Sequence, residues 1–127
     1  MVLSNKKALI VEDDAHSLLT LGSLLDGVGI EYKRNTTGSS VLEQARRLQP
    51  DVILLDLSLP DGDPFLILAT LEQEAALRHI PVIAMVDEQL ADDLLPTVHT
   101  ADFAGVVTKP VEQQPFVDLL QRLLDTN

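Results

Sequence analysis

Charged side chains directly follow four short apolar runs of this chain. They are the acidic triplet 12–14, the single residue Asp56, the pair Asp87 and Glu88, and Lys109. If these positions converge in the folded protein, the carboxylates repel one another and raise each other's pKa unless a cation lies among them. A hard divalent ion meets that need, and Mg²⁺ prefers one or two carboxylates, water and a phosphate oxygen. The lysine would then supply a compact positive charge for a phosphoryl oxygen.

Each of these groups also has an ordinary structural explanation. An acidic triplet at the junction of a strand and a helix commonly caps the helix and complements its dipole. Asp56 is harder to explain in this way, because it ends the apolar run 52–55, where an unpaired buried carboxylate is costly. The combination therefore indicates a site more strongly than any one group does.

The elements that would position these groups are short strands alternating with amphipathic helices. Apolar runs rich in β-branched residues, without polar alternation, predict strands buried on both faces at 8–11, 52–55, 82–86 and 105–108. The alternating segment 30–33 predicts an edge strand. Apolar residues at helical spacing follow each strand, with Ser39 or Ser40 capping the second helix and Pro96 breaking or kinking the fourth.

This order predicts an α/β fold in which a strand and a helix alternate five times. Right-handed connections then require a doubly wound parallel sheet with helices on both of its faces. Ligands of such sheets bind beyond the carboxyl ends of the strands. The acidic groups and Lys109 are expected to meet there.

Composition limits the classes of function. The 127 residues carry 9 Lys and Arg against 20 Asp and Glu, a formal net charge of −11 that argues against a nucleic-acid or anionic-membrane binder. The chain has no cysteine, so thiolate chemistry and disulfides are excluded, and no apolar run approaches a membrane span. The first residues do not resemble a signal peptide. A single domain over 1–127, located in the cytoplasm, is expected.

Three segments resemble the signature regions of response-regulator receiver domains: LIVEDDA at 9–15, DVILLDLSLPDGD at 51–63 and TKP at 108–110. The resemblance covers about residues 5–125. It implies the flavodoxin-like receiver fold, with a five-stranded sheet in the order 2-1-3-4-5 and five helices. It also implies a two-component switch, not a turnover enzyme, with at most weak autophosphatase activity. Such a switch accepts a phosphoryl group from a sensor histidine kinase or a phosphotransfer protein.

By position in those segments, the resemblance implies a role for five residues. Asp56 matches the phosphoacceptor, and Lys109 matches the lysine that contacts the phosphoryl group. Glu12 and Asp13 match the acidic pair that holds Mg²⁺ with Asp56, Asp13 directly and Glu12 through water. The backbone carbonyl of Ser58 completes the coordination. This agrees with the chemistry of the residue types, because an ionised aspartate attacks phosphorus in line without a general base.

Three positions depart from the family pattern. Val86 stands where receivers carry Thr or Ser, and Val106 stands where they carry Tyr or Phe, so both halves of the usual conformational switch are missing. Asp87 stands where a small residue is usual, beside the incoming phosphodonor. One hypothesis is that Asp87 pairs with Lys109 and holds one state permanently. The bond before Pro110 resembles a peptide bond that is usually cis.

These departures leave several functions open. Retained phosphorylation with an unusual output, through the loop 58–63 or the fourth helix, is favoured. A phosphate relay, or a degenerate receiver that binds protein independently of phosphorylation, is the alternative. A haloacid-dehalogenase-like phosphatase would need an aspartate where Ser58 stands, and a Rossmann module would need a glycine-rich loop after the first strand. The downstream partner is a separate protein or a fused output domain, and a homodimer is left open.

Overall fold

The computed structural model describes Leu3 and residues 5–125, and within them five strands alternate with five helices. The strands are β1 (Lys7–Val11), β2 (Glu31–Asn35), β3 (Val52–Asp56), β4 (Val82–Asp87) and β5 (Gly105–Lys109). The helices are α1 (Ala15–Gly27), α2 (Val41–Leu48), α3 (Pro64–Gln73), α4 (Ala91–Thr100) and α5 (Gln113–Leu124). Among the described residues, no helix combines the length and apolar character that crossing a membrane requires.

All five strands are parallel and lie in the order β2-β1-β3-β4-β5, which confirms the predicted doubly wound sheet. Side chains of a strand alternate between the two faces of its sheet. In β1, Ala8 and Ile10 therefore join the core beneath α1 and α5, whereas Leu9 and Val11 join the core beneath α2 and α3. A third cluster packs β4 against α4. Burial on both faces explains why the central strands read as continuous apolar runs.

The two outer strands differ from the central three. In β2, which pairs only with β1, most side chains are exposed, so the predicted edge strand is confirmed. In β5 the prediction of burial on both faces is wrong, because only Val107 is buried and Thr108 is exposed. The physical reason is that β5 forms the opposite edge and pairs only with β4.

Local capping defines where the helices begin. Asp14 accepts a hydrogen bond from the Ser17 amide at 2.9 Å and caps α1, and Asp63 caps α3 through the Phe65 amide at 2.9 Å. Ser40 occupies the capping position of α2, but its hydroxyl bonds the Asn35 side chain at 3.1 Å instead of the helix. A 3₁₀ turn over Gly38–Ser40 leads into that helix.

Pro96 does not break α4, which runs without interruption from Ala91 to Thr100. A proline inside a helix removes one hydrogen bond to the carbonyl four residues earlier, here that of Asp92. Both residues are exposed, so water can satisfy the carbonyl that loses its partner. Of the two predicted effects, the break is therefore wrong, and the kink stays a prediction.

Burial predicts a large difference between two leucine truncations. Leu54 in β3 is 0% exposed, whereas Leu66 on α3 is 63% exposed. We expect Leu54→Ala to lower the free energy of unfolding by roughly 2–5 kcal/mol, because it removes packed apolar atoms and leaves a cavity. Leu66→Ala should change it by less than about 0.5 kcal/mol. Urea unfolding of both variants checks this, and equal losses would contradict the described core.

Candidate functional site

The carboxyl ends of β1, β3 and β5 bring four of the sequence-predicted residues together. Val11 is the register partner of Leu55, so Glu12 and Asp56, the next residue of each chain segment, lie side by side. Lys109 ends β5 and reaches across to both carboxylates. Asp13 completes the group at the rim. The parallel sheet thus assembles residues that are far apart in the chain.

Glu12 and Lys109 form the closest ion pair of the site. The Lys109 Nζ donates to Glu12 Oε1 at 2.9 Å, and the Glu12 side chain is 0% exposed. The second carboxylate oxygen of Glu12 accepts the backbone amide of Asp13 at 3.1 Å. The backbone amide of Glu12 donates to the backbone carbonyl of Asn35 at 3.0 Å. Glu12 is therefore held from both sides by strand ends β2 and β5.

Asp56 is the second buried carboxylate, only 1% exposed. Its Oδ1 lies 3.3 Å from the Lys109 Nζ and accepts the Ser58 amide at 3.0 Å. A buried carboxylate needs such partners, since an uncompensated buried charge is strongly destabilising. The anomaly that the sequence suggested at the end of an apolar run is resolved by these two contacts.

The crowding of charge shifts two pKa values. Burial raises the pKa of the Glu12 carboxyl to about 7, together with the neighbouring Asp56, although Lys109 opposes the shift. Burial disfavours the charge on Lys109 as well, but its hydrogen bond to Glu12 and the charge of Asp56 outweigh burial and raise the pKa of the ammonium. One lysine thus partly neutralises two carboxylates, and negative charge remains in excess.

Glu12, Asp13 and Asp56 meet the requirements of a divalent cation site. Each offers a carboxylate oxygen, and these oxygens lie within 4.8 Å of one another. Asp13 is exposed, so the group opens to solvent on one side, as an ion that keeps several waters needs. The oxygen-only donor set and the excess negative charge therefore fit Mg²⁺.

Ser58 and Pro110 flank this group. Ser58 is exposed and lies two residues after Asp56, to which its amide is bonded. The peptide bond between Lys109 and Pro110 is cis. Asp14 lies just outside the group, where it caps α1, and the hydrogen bond from the Ser17 amide lowers the pKa of its carboxyl.

The positions that depart from the family pattern lie in β4 and β5. Val86 is 0% exposed and packs in the cluster beneath α4, with half-buried Val106 against the same cluster. Beside Val106 a surface pocket of about 320 Å³ lies between β5 and α5. Neither valine offers a hydroxyl or an aromatic ring to the site.

The hypothesis of an Asp87–Lys109 ion pair is wrong. The two residues are register partners across β4 and β5, but the Lys109 ammonium bonds Glu12 and Asp56 instead. The Asp87 carboxylate accepts the Gln89 amide at 2.9 Å and caps the 3₁₀ turn over Glu88–Leu90. Asp87 also lines the cleft above Asp56. A local backbone amide satisfies this carboxylate at less conformational cost than a long lysine side chain.

Sequence reasoning missed Asn35 at the end of β2. It is 7% exposed, and its side-chain oxygen accepts bonds from the Thr37 amide and from the hydroxyls of Thr37 and Ser40. Its Nδ2 atom is buried without a hydrogen-bond partner in the described part of the chain. A polar residue ending the strand next to β1 was the only signal available.

The fold and the acidic site together define a class of signalling module. The sequence profile of the response regulator receiver domain matches residues 8–121, and the chain belongs to that family. Receiver domains act in two-component systems, interact with histidine kinases and downstream effectors, and typically bind Mg²⁺ at an acidic pocket. The family resemblance expected from the three sequence segments is confirmed.

Individual relatives agree with this assignment. The polar-differentiation response regulator DivK of Brucella ovis is 29% identical over 119 residues, which cover 94% of this chain and 96% of the relative. A putative response regulator from Chloroflexus aurantiacus has the same fold, with a TM-score of 0.85, 24% identity, and coverage of 95% and 98%. The receiver domain of sensor histidine kinase PA1611 from Pseudomonas aeruginosa was solved with magnesium coordinated in its active-site cleft. It has the same fold, with a TM-score of 0.86 and 21% identity, and the match covers 97% of this chain and 100% of that domain.

The shared ammonium predicts a stability effect at Lys109. We expect Lys109→Met, in metal-free buffer at neutral pH, to lower the free energy of unfolding by roughly 3–5 kcal/mol, because two buried carboxylates lose their partner. Lys33→Met removes the same charge from exposed β2 and should change stability by less than about 0.5 kcal/mol. Urea unfolding with a chelator measures both, and a Lys109 variant as stable as its control would refute the pairing.

Proposed function

We propose that this receiver accepts a phosphoryl group on Asp56 from a sensor histidine kinase or a phosphotransfer protein, with Mg²⁺ as cofactor. The observation that carries the proposal is the placement of Asp56. Its buried carboxylate lies 3.3 Å from the Lys109 ammonium and shares a cluster of carboxylates with Glu12 and Asp13. A nucleophile, a cation contact and a set of metal ligands therefore occupy one end of the sheet.

The proposed step is an in-line transfer. An oxygen of the Asp56 carboxylate forms a bond to phosphorus while the phosphorus–nitrogen bond of a phosphohistidine breaks and the imidazole leaves with the electron pair. No general base is needed, because the carboxylate is already anionic. Lys109, whose Nζ lies 3.3 Å from Asp56 Oδ1, would contact an equatorial phosphoryl oxygen. Bound Mg²⁺ would supply further neutralisation of charge on the phosphoryl group.

Glu12, Asp13, Asp56 and the Ser58 carbonyl are the groups that would hold the ion. Asp13 is the exposed carboxylate and suits direct coordination, whereas Glu12 is engaged by Lys109 and by backbone amides and suits a contact through water. The product is an acyl phosphate, which is labile and suits a reversible signal. Weak autophosphatase activity at most accompanies this role.

The output of the switch is proposed to leave through the loop 57–63. Val86 and Val106 offer the phosphoryl group no hydrogen bond, so neither of these two side chains gains a polar contact that differs between the two states. The Ser58 amide, by contrast, bonds Asp56 Oδ1 directly at 3.0 Å. Converting that carboxylate to an acyl phosphate changes the acceptor of this bond, and the change falls on the loop.

The proposal also covers domain organisation, location and effector. The whole chain, 1–127, is proposed to be one receiver domain located in the cytoplasm, and its effector is a separate protein or a fused output domain. The formal charge of −11 argues against direct contact with nucleic acid or anionic membranes.

Phosphorylation of Asp56 is tested by intact-protein mass. After incubation with Mg²⁺ and a small phosphodonor, or with a phosphorylated histidine kinase, we expect the mass to rise by one phosphoryl group. Omitting the metal or introducing Asp56→Asn should abolish the adduct, because each removes an essential group. Asp51→Asn is the matched control, since Asp51 lies at the opposite end of β3 and contacts the Lys7 amide. No adduct with either donor would favour a degenerate receiver that binds protein independently of phosphorylation.

The site of output is tested by amide chemical shifts. On phosphorylation we expect the largest backbone changes outside the metal ligands to fall in residues 57–63, with smaller changes in β5. The reason is that the loop contacts Asp56 through Ser58, whereas Val86 and Val106 make no polar contact there. Nitrogen–proton correlation spectra with and without the phosphodonor measure this. Dominant shifts in β5 and α4 would contradict the proposed route.

A further inference from the structure

The carboxylate of Asp61 joins two loops at the edge of the site. Its Oδ1 accepts the Gly38 amide at 3.0 Å, and its Oδ2 accepts the Ser39 amide at 3.2 Å. These bonds lower the pKa of the Asp61 carboxyl. Asp61 belongs to the loop that follows Asp56, whereas Gly38 and Ser39 form the turn that follows β2. We call this pair of hydrogen bonds the Asp61 clasp.

Gly38 is required for the clasp because the two backbones approach closely. A Cβ atom added at Gly38 would lie 2.4 Å from the backbone carbonyl oxygen of Asp61 and 3.3 Å from the Ile67 Cδ1. The nearer atom belongs to the backbone and cannot rotate away. Any larger residue at position 38 therefore pushes the two loops apart.

The turn on one side of the clasp is linked to the acidic site. The Glu12 amide donates to the backbone carbonyl of Asn35, and the side chain of Asn35 accepts bonds from Thr37 and Ser40, which lie on either side of Gly38 and Ser39. A position fixed by several mutually supporting hydrogen bonds is a firm anchor. The turn is therefore fixed relative to Glu12.

The loop on the other side directly follows Asp56, the last residue of β3. Its first amide, of Leu57, bonds the Met85 carbonyl at 3.1 Å, and Asp63 caps α3 at its end. Ser58, whose carbonyl is proposed to complete the metal coordination, lies between these ends. In the described part of the chain, the Asp61 carboxylate makes the hydrogen bonds that tie the middle of this loop to the turn after β2.

We infer that Asp61 is a positioning residue of the magnesium site, acting through the clasp with Gly38 and Ser39. It touches neither the ion nor the phosphoryl group. It holds the loop that follows Asp56 and carries the Ser58 carbonyl at a fixed distance from the strand end that leads to Glu12 and Asp13. The inference rests on the proposed function, because it concerns the same metal site.

Three variants separate the clasp from the effects of charge and of loop stability. Asp61→Asn weakens the clasp and removes one negative charge. Gly38→Ala disrupts the clasp and leaves the charge unchanged. Asp63→Asn removes the same charge from the same loop and weakens the α3 cap, but leaves the clasp intact. Together they form a matched set on one short stretch of structure.

The measurement is the dissociation constant for Mg²⁺ of the full chain without phosphodonor, from amide chemical shifts or calorimetry well below each variant's unfolding temperature. We expect Asp61→Asn and Gly38→Ala each to raise it about 10-fold, the size typical of a lost outer-shell partner. Asp63→Asn should raise it by no more than about two-fold, since an exposed charge is screened. Hydrogen exchange of the Gly38 and Ser39 amides should accelerate in Asp61→Asn but not in Asp63→Asn.

Several outcomes overturn the inference. Wild-type affinity in Asp61→Asn would do so, and so would an equal loss in Asp61→Asn and Asp63→Asn, because charge would then explain the effect. If Gly38→Ala does not fold, the two Asn variants decide. Unchanged affinity in Asp61→Asn with a normal Asp56 adduct in the wild type would defeat only the inference. A clasp-dependent affinity without any adduct would defeat only the proposed phosphotransfer.

Discussion

Two buried carboxylates that share one ammonium are the constraint on which this structure depends. Glu12 and Asp56 lie almost without exposure at neighbouring strand ends, and Lys109 reaches both at 2.9 and 3.3 Å. Burying such charges is tolerable only when their partners are placed accurately. The parallel sheet provides that accuracy, because its register sets the strand ends side by side and the helices on both faces exclude water from them. The excess negative charge is the feature that a divalent cation would relieve.

The surroundings of this group are unequal on its two sides. Toward β4 and β5 the two usual switch positions are apolar, with Val86 and Val106 in a cluster beneath α4. The polar groups on that side are Asp87, which lines the cleft, and Lys109, which pairs with both carboxylates. Toward β2 the neighbours are polar, with a continuous set of hydrogen bonds through Asn35 to the turn at Gly38 and on to Asp61. Directional contacts transmit a change of position more specifically than apolar packing does. The site is therefore connected by hydrogen bonds to the β2 side of the molecule, opposite the side on which the usual switch positions lie.

The order of elements was predictable because the central strands are buried on both faces and read as unbroken apolar runs. The same rule failed for β5, since an apolar run does not distinguish a central strand from an edge strand with one covered face. Whether Pro96 breaks α4 depends on whether water reaches the Asp92 carbonyl, and the sequence pattern does not show this. The predicted pairing of Asp87 with Lys109 was wrong because the Gln89 amide, only two residues away in the chain, bonds the Asp87 carboxylate. Asp61 and Gly38 lie 23 residues apart and meet only once the loops are in place, so no local signal marks them.

The ion pair between Glu12 and Lys109 joins residues 97 positions apart, which bears on the protein's own synthesis. A chain emerging from the ribosome presents its three carboxylates long before its lysine, and strand β5 is the last strand to be made. Until that strand pairs with β4, Glu12 and Asp56 have no ammonium to share. The complete group of two carboxylates and one ammonium is thus a late product of folding, and a chain cut short before β5 carries Asp56 without Lys109.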